Sequence, residues 1–386
     1  RQRQMCIRDR YKYMVIIKEV KTRKDLRMFA GFNEKMYRSV PQAIPDLISD
    51  EMANFMPKKN PAFEYAESRQ FLAYKDRECV GRIGAIISHK ANAKWDRKRI
   101  RFTRVDFIDD FEVSSALFKA VEDWGRERGL TEIHGPMGFC DLDQEGMLIE
   151  GFEYKSIFIT IHNAPYYKEH MERLGYEKCV DWIENRINIP NPIPLVWKKM
   201  SERVLRENNL RVRSPKNKLE LRKYISQIFE VINDTAKNLY GEVDLSAEQV
   251  KKYVKQFILV VNCKYIMMVV DEKDNMVGFG ITVPSLADAS KKSRGRLFPF
   301  GWARILYAPY AKPDTLELYL VGVRDEYKNK GVPAVLIMYE MQSAIEDGIK
   351  YAETGPMLET NIKVQSMWKR LDKIQHKRRR CWIKTL

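Results

Sequence analysis

The tripeptide Gly-Pro-Met occurs twice in this 386-residue chain, at residues 135–137 and 355–357. Each copy follows a stretch with the apolar spacing of an amphipathic helix and then a short strand. Asn163 and Asn361 extend the pattern, because each precedes a predicted helix that ends in Arg-Leu. The shared order of these features predicts a chain built from two copies of one α/β unit, and its length suits two cores of ordinary domain size.

Both halves show the same predicted order: strand, helix, β-hairpin, strand, helix, strand, helix and terminal strand. The predicted strands lie at 14–20, 71–74, 80–88, 102–108 and 131–134 in the first half, and at 210–213, 265–270, 277–283, 316–323 and 351–354 in the second. The proline-rich stretch 190–194 separates the halves. We therefore expect an N-terminal domain at 11–190, a linker with a short helix at 191–210, and a C-terminal domain at 211–386.

The chain is basic, with 68 Lys and Arg against 52 Asp and Glu and a formal net charge of +16. The opening RQRQMCIRDR contributes to this charge, but it resembles translated sequencing-adapter read-through and is expected to lie outside the native fold, at residues 1–10. The remainder is still basic. Such a balance favours an anionic partner, which could be a phosphorylated cofactor, an anionic membrane surface or nucleic acid.

Cysteine, histidine and apolar patterns exclude several classes of protein. The six cysteines form no C-x-x-C pair and the five histidines show no metal-ligand spacing, so no metal site is expected. Scattered free thiols suit a reducing cytoplasm. No run of 18 apolar residues is present, so no membrane span is expected.

Residues 316–338 contain the strongest functional signal. A strand ends at Val323, a basic loop with Lys328, Lys330 and Gly331 follows, and an apolar helix begins directly after it. The first N–H groups of a helix have no intrahelical partner and the helix dipole favours anions there, so this loop is typical of a phosphate or pyrophosphate site. The alternative is an ordinary strand–helix turn with solvated charges.

The loop Lys328-Asn329-Lys330-Gly331-Val332-Pro333 resembles the acyl-CoA-binding motif Gln/Arg-x-x-Gly-x-Gly/Ala of GNAT acyltransferases. Lys stands in place of the usual first residue, and Pro replaces the last small residue, which removes one N–H donor. The order of elements in both halves is also similar to GNAT. The resemblance implies an α/β fold with a mixed α+β sheet: two tandem GNAT-like domains, each a mostly antiparallel twisted sheet flanked by helices.

The resemblance also implies an acetyl-CoA or longer acyl-CoA co-substrate and a set of site residues. The amides near Val321 and Val323 would hold the acyl carbonyl and stabilise the oxyanion, and Glu317 or Glu353 would act as the general base. Pyrophosphate and CoA contacts are expected from Val323, Lys328, Asn329, Lys330, Gly331, Val332, Ala334 and Asn361.

Trp368 lies where many relatives have a tyrosine acid, and an indole cannot donate a proton to a thiolate. Either no protein acid is needed, or Tyr339 or Tyr319 supplies it.

The first half lacks the CoA-binding loop. Asp109, Asp110 and Glu112 follow its fourth strand, and these carboxylates would repel phosphates. The N-terminal domain is therefore expected to shape the substrate pocket or to serve as a scaffold. The acidic stretch 141–148 begins like a calcium-binding loop but has Phe152 at the twelfth position, so we interpret it as a surface loop.

The expected function is transfer of an acetyl or longer acyl group from acyl-CoA to an unidentified amine, which includes lipid-like amines. The alternatives are a Fem-type transferase that uses aminoacyl-tRNA, and a non-catalytic GNAT module; no DNA partner is expected. The aromatic and basic stretch 294–302 could line an acyl pocket, contact a membrane surface or pack on the core. The basic run 376–380 is interpreted as a contact for CoA, lipid headgroups or RNA, or as a solvated edge of the last strand. A cytoplasmic location, with peripheral membrane contact, suits these expectations.

Overall fold

The computed structural model describes residues 14–236, 239–311 and 314–386, and the predicted leader at 1–10 lies outside these residues. In the first half the elements, in chain order, are β1 (Ile16–Glu19), α1 (Arg23–Met36), α2 (Ile48–Asn54), β2 (Ala66–Lys75), β3 (Glu78–Ser88), α3 (His89–Lys94), β4 (Arg99–Phe107), α4 (Phe111–Glu127), β5 (Glu132–Gly135), β6 (Met147–Glu150), α5 (Tyr167–Arg173) and β7 (Glu177–Asn188).

The second half begins with a helix in the predicted linker and then repeats the pattern. Its elements are α6 (Leu195–Glu207), β8 (Arg211–Arg213), α7 (Lys218–Ala236), α8 (Ala247–Val260), β9 (Ile266–Val270), β10 (Met276–Pro284), α9 (Ala287–Ser293), α10 (Gly301–Tyr307), β11 (Thr315–Val323), α11 (Asp325–Lys328), α12 (Val332–Glu346), β12 (Tyr351–Thr354), β13 (Met357–Leu358), α13 (Ile362–Met367) and β14 (Lys373–Thr385).

The described strands join into one mixed sheet in the order β1-β2-β3-β4-β5-β14-β7-β12-β11-β10-β9-β8, with β6 paired to β14 and β13 to β7. Only the β4–β5 and β11–β12 pairs within the described sheet are parallel. Helices pack against the sheet in both halves, α4 on β3 and α12 on β10 among them. The mixed, mostly antiparallel sheet with flanking helices confirms the predicted fold class. None of the described helices is long and apolar enough to cross a membrane.

Local sequence signals account for several element boundaries. Ser246 caps α8 through a capping box with Gln249, in which each side chain accepts a hydrogen bond from the backbone N–H of the other residue. Gly129 and Gly348 follow α4 and α12 with positive φ angles, as helix-ending glycines do. The predicted strand 351–354 has the bounds of β12, and each other predicted strand overlaps an observed one.

The last strand of each half pairs with the other half. β7 ends the first half and pairs with β12 of the second, Asn188 lying opposite Tyr351. β14 ends the chain and lies between β5 and β7, with Trp382 opposite Gly135. Because each half places its last strand beside strands of the other half, the two units share the middle of the sheet. The domain boundaries at residues 190 and 211 stay a prediction.

Buried ion pairs hold the exchanged strand β14 in place. The side chains of Lys377, Arg379 and Glu184 are fully buried, and both cations pair with this glutamate on β7. Burial by itself would raise the pKa of Glu184, but the two cations outweigh it and hold the pKa below its usual value. Arg378 and Arg380, which alternate with these two cations along β14, pair with Asp181, which is also buried.

This pairing corrects one interpretation of the sequence. The basic run 376–380 is not a solvated edge, because β14 is an interior strand of the described sheet. The cations of the run face carboxylates of β7 and β12, so they are not available as a basic surface for lipid headgroups or RNA.

We expect Glu184→Gln to lower the free energy of unfolding by about 3–5 kcal/mol, because it leaves the buried Lys377 and Arg379 without their shared carboxylate. Urea unfolding followed by circular dichroism measures the change.

Glu150→Gln is the matched control, since Glu150 pairs with Arg378 while its side chain is 63% exposed. It should cost at most about 1 kcal/mol. Equal losses in the two variants would show that the buried pairs do not hold β14.

Candidate active site

A cleft opens where β11 and β12 diverge. The two strands pair from Thr315 opposite Tyr351 to Leu318 opposite Thr354, and the N–H of Gly355 then donates to the carbonyl oxygen of Leu318 at 3.1 Å. Beyond this point β11 continues to Val323 along β10 alone. The edge of residues 319–323 that faced β12 is therefore open.

A β-bulge sets the direction of the backbone groups along this open edge. The register between β10 and β11 shifts between Ile281 and Thr282, which lie opposite Leu320 and Leu318, so Tyr319 has no opposite residue. An extra residue in one strand reverses the alternation of backbone groups beyond it. The groups that would otherwise face β10 then face the cleft.

Val321 and Val323 are the residues whose N–H groups face the cleft. The N–H of Arg324 donates to the carbonyl oxygen of Val277 on β10 at 2.9 Å, which fixes the direction of that residue. Backbone groups alternate along a strand, so the two valines point the other way. Two N–H donors at a cleft can hold a carbonyl oxygen and stabilise negative charge on it.

A cavity of about 890 Å³, here called the larger cavity, extends from these two valines. Among the predicted site residues, its lining includes Val321, Val323, Lys328, Asn329, Gly331, Ala334 and Asn361. Gly322 between the valines also lines it. The end of β11, the start of α12 and the start of α13 thus form one site.

Gly331 caps α12 in a conformation that favours glycine. Its φ angle is +84°, and a Cβ atom there would lie 2.8 Å from a methyl group of Val204 on α6. Pro333 is in the first turn, and the N–H groups of Ala334 and Val335 donate to the carbonyl oxygen of Gly331 at 3.1 and 3.2 Å. The donors left for an anion at this helix start are therefore fewer than the sequence suggests.

The remaining loop residues have separate places. Lys328 lines the larger cavity and pairs with Asp325. The Nζ atom of Lys330 lies 4.5 Å from the centre of the Tyr327 ring, and this lysine does not line the cavity. Val332 is fully buried in an apolar cluster beneath α12.

Asn361 has a structural role as well as a place in the larger cavity. Its Oδ1 atom accepts a hydrogen bond from the N–H of Val364 at 3.3 Å and caps α13. Trp368, near the end of the same segment, is buried, and its indole N–H faces the sulfur of Met357 at 3.1 Å. Trp368 therefore packs in the core.

Two sets of residues at the larger cavity were not predicted from the sequence. Lys363, Lys369 and Arg370 are exposed side chains that line it, and they could hold phosphate groups. Trp197 and Met200 also line it, although they belong to the segment interpreted as a linker. The three cations follow Asn361 within ten residues, so their spacing could have indicated a basic rim. No sequence signal placed α6 against α12.

Glu317 is a buried carboxyl at the base of the cleft. It accepts hydrogen bonds from the hydroxyl of Ser285, from the N–H of Phe158 at 3.1 Å and from the hydroxyl of Tyr319 at 3.2 Å. Burial raises its pKa to about 7, and the charge of Glu353 adds to the effect. A carboxylate with this proton affinity suits general base catalysis near neutral pH.

Glu353 lies opposite Glu317 in the β11–β12 pair, but its environment is different. Its Oε2 atom is 3.2 Å from Nε2 of His376 and 3.1 Å from Nζ of Lys377. Burial raises the pKa of Glu353, and these two partners outweigh it and lower the pKa to about 2. A carboxylate held so firmly in the ionised form is a weak proton acceptor.

Tyr319 connects Glu317 to a second cavity of about 200 Å³, here called the smaller cavity. Burial, together with Glu317, raises the pKa of the Tyr319 hydroxyl well above its usual value. Leu320, the next residue, also lines the smaller cavity, and Val321 lines the larger one. The two cavities therefore meet β11 at consecutive residues. The described part of the chain contains no group of His, Cys, Asp or Glu side chains placed to hold a metal ion.

Comparison with known proteins identifies the fold. No protein-family model matches the chain. It is 28% identical to Protein YghO of Escherichia coli over 384 residues. This alignment covers 97% of this chain and 96% of that protein. It is 25% identical over 377 residues to the bacterial ceramide synthase of Caulobacter vibrioides, covering 95% and 96%.

Among solved structures, the tandem GNAT protein from the clavulanic acid biosynthesis pathway superimposes with a TM-score of 0.55. The match covers 96% of this chain and 98% of that chain at 11% sequence identity. The chain therefore has the tandem GNAT fold, as the resemblance in the loop and in the order of elements implied.

A left-handed conformation costs an L-residue about 1–2 kcal/mol. We expect Gly331→Ala to lower the free energy of unfolding by more than this amount, because the added methyl group would also meet Val204. Urea unfolding measures the loss.

Gly348→Ala is the control, since its φ angle is +75° and no atom lies within 4 Å of the added Cβ atom. It should show the conformational cost alone. Val204→Ala in the Gly331→Ala background should recover the difference, and no recovery would contradict the packing of α6 against the loop.

Proposed function

We propose that the protein is an acyl-CoA-dependent N-acyltransferase that moves an acetyl or longer acyl group to an amine, with the larger cavity as the site for acyl-CoA. The observation that carries this proposal is the junction at β11. There the N–H groups of Val321 and Val323 face the larger cavity, and Glu317 reaches the smaller cavity through Tyr319.

The residues of the larger cavity fit an acyl-CoA molecule. Lys363, Lys369 and Arg370 at its rim carry charge opposite to that of the phosphates, and Lys328 adds a fourth cation. Gly331 lines the larger cavity without a side chain, so the backbone before α12 can approach a phosphate closely. The bound thioester would supply an activated acyl carbon.

Residues of the chain would then perform two tasks around that carbon. The N–H groups of Val321 and Val323 would hold the carbonyl oxygen and stabilise the charge that develops on it as the amine nitrogen attacks. The hydroxyl of Tyr319 would accept the amine proton while it donates its own proton to Glu317, since the two side chains already share a hydrogen bond. The same pair could return a proton to the departing thiolate.

A lipid-related substrate is the finer part of the proposal. The relative from Caulobacter vibrioides is named a bacterial ceramide synthase, and it matches almost the whole chain. A ceramide is the amide of a long-chain amino alcohol and a fatty acid, so its synthesis from an activated acyl group is an N-acylation. We infer that this chain acylates a lipid-like amine.

A cytoplasmic location with peripheral contact to an anionic membrane completes the proposal. Phe298 and Phe300 precede α10, and their side chains are 83% and 69% exposed. Trp302 on α10 is also exposed, and Arg294 and Arg296 lie close by in the sequence. Exposed aromatic side chains beside basic residues are typical of contact with a membrane surface.

The Fem-type alternative has less support than the primary proposal. It depends on a basic surface for tRNA, whereas the cations of the run 376–380 pair with carboxylates inside the sheet. The environment of Glu317 argues against a non-catalytic GNAT module. A buried carboxyl with a pKa of about 7 costs stability and is typical of functional sites.

We expect acetyl-CoA and palmitoyl-CoA to raise the Tm of the protein, and total tRNA to leave it unchanged, because ligands stabilise the fold that binds them. Lys328→Glu should abolish the rise with both CoA species, since it places a carboxylate against the phosphates. Differential scanning fluorimetry measures the shifts.

Lys330→Glu is the matched control, because Lys330 does not line the larger cavity. It should retain most of the rise in Tm. If no CoA species shifts the Tm of the unmodified protein, the proposed function is wrong, and a shift with tRNA alone would favour the Fem-type alternative.

We expect kcat/KM to rise with pH through about 7, because Glu317 must lose its proton to accept one from the amine. Glu317→Gln should lower kcat by about 10²–10⁴-fold and remove this pH dependence. Release of CoA from palmitoyl-CoA with sphinganine as acceptor, measured from pH 5 to 9, gives the profile.

Glu353→Gln provides the comparison. The negative charge of Glu353 raises the pKa of Glu317, so its removal should move the rise in kcat/KM to lower pH and keep activity. Activity lost in Glu353→Gln but kept in Glu317→Gln would assign the base to Glu353 instead.

A further inference from the structure

The acidic stretch 141–148 is not the surface loop that its sequence suggests. Asp143 accepts a hydrogen bond from the N–H of Phe139 at 2.7 Å, and Gln144 donates to Asp46. Asp141, Asp143 and Glu145 line the smaller cavity. The loop of the first half thus supplies one wall of a cavity that is lined mainly by residues of the second half.

The opposite wall of the smaller cavity is apolar. It is formed by α7 and α8, with Leu221, Ile225, Ile228, Val254, Phe257 and Ile258 among the lining side chains. The cavity reaches β11 at Tyr319 and Leu320, and it reaches the second Gly-Pro-Met at Gly355 and Pro356. It therefore extends from the acidic loop to the place where β11 and β12 diverge.

Two carboxyl groups of the acidic loop have buried oxygen atoms without a donor. Oδ1 of Asp141 and Oε1 of Glu145 have no hydrogen-bond partner among the residues that the structure describes. Burial raises the pKa of Asp141 to about 8 and that of Glu145 well above its usual value, with nearby carboxylates adding to both.

Arg101, a cation that acts on both acids, does not donate to these oxygens. Arg101 donates its hydrogen bonds to the carbonyl oxygens of Gly138 at 2.8 Å and Gly241 at 2.7 Å. Its charge lowers the pKa of both acids, but burial outweighs it. Buried acceptors without donors cost stability unless a ligand supplies the donors.

We propose that the smaller cavity binds the amine substrate as an alkylammonium, with Asp141 and Glu145 accepting its N–H hydrogen bonds and the apolar faces of α7 and α8 enclosing its chain. This inference rests on the proposed function and assigns the amine to one cavity and acyl-CoA to the other. An ammonium group has three N–H donors, which suits two unsatisfied carboxyl oxygens. A fatty acyl chain would match the apolar wall but would leave these acids without donors.

The binding test compares three probes of equal chain length. Octylamine should bind to the protein, as measured by isothermal titration calorimetry, at least about tenfold more tightly than 1-octanol or octyltrimethylammonium, because only the amine has several N–H donors on a positive charge. Equal affinity for octylamine and octanol would overturn the proposal.

Isosteric variants test the two acids. Asp141→Asn and Glu145→Gln should each weaken octylamine binding by about tenfold or more and leave octanol binding unchanged. The Tm of the free protein should stay the same or rise, because each variant removes a buried ionisable group that has no donor. Glu172→Gln, at an exposed glutamate on α5, should change neither property. Unchanged octylamine binding in both acid variants would refute the assignment.

Val254→Trp tests the apolar wall and separates this inference from the proposed function. It should weaken octylamine and octanol alike, while the rise in Tm with acetyl-CoA and palmitoyl-CoA remains. Loss of the palmitoyl-CoA effect alone would assign the smaller cavity to the acyl chain and overturn the inference. In that outcome the acetyl-CoA shift would still support the proposed function.

Discussion

The exchange of terminal strands, held by buried ion pairs on β14, is the constraint on which the rest of the structure depends. Lys377 and Arg379 are inside the sheet and need Glu184 of β7 as their partner. Once β14 lies between β5 and β7, β7 pairs with β12, and the N–H of Asn185 donates to the hydroxyl of Thr354 at 2.9 Å. The end of β12 is thereby fixed next to β7, and β11 separates from β12 beyond Leu318. The exchange thus holds open the cleft that carries the candidate site.

The same ion pairs make the two candidate bases differ in pKa. Lys377 and His376 belong to β14, and they keep Glu353 ionised. Glu317 is one strand further from β14, and it contacts only neutral donors among the described residues. Two glutamates at the same level of the sheet therefore differ in pKa, about 2 for Glu353 and about 7 for Glu317, because only Glu353 contacts His376 and Lys377 of β14.

How far the sequence predicts this structure depends on how local each feature is. The capping box at Ser246, the helix-ending Gly348 and the strand 351–354 rest on neighbouring residues, and they are confirmed. The strand exchange could not be predicted, since pairing partners far apart in the chain leave no local signal. The basic run of β14 looked like a surface because cations in a buried strand violate the usual apolar pattern. The loop at Gly331 has a local motif, whereas α6 and the acids at 141–145 reach the cavities only through tertiary packing.

Both halves line the smaller cavity, and they contribute different parts to it. The first Gly-Pro-Met anchors the acidic loop, since the N–H of Gly146 donates to the carbonyl oxygen of Pro136 at 2.9 Å. The second lies at the end of β12, and its Gly355 and Pro356 line the smaller cavity. At the start of α4, Asp110 accepts from the N–H of Glu112 at 2.9 Å, so a carboxylate takes the place that an anionic ligand would need. The two units therefore differ at corresponding places: the first has a carboxylate cap at the start of α4, and its acidic loop lines the smaller cavity together with residues of the second half.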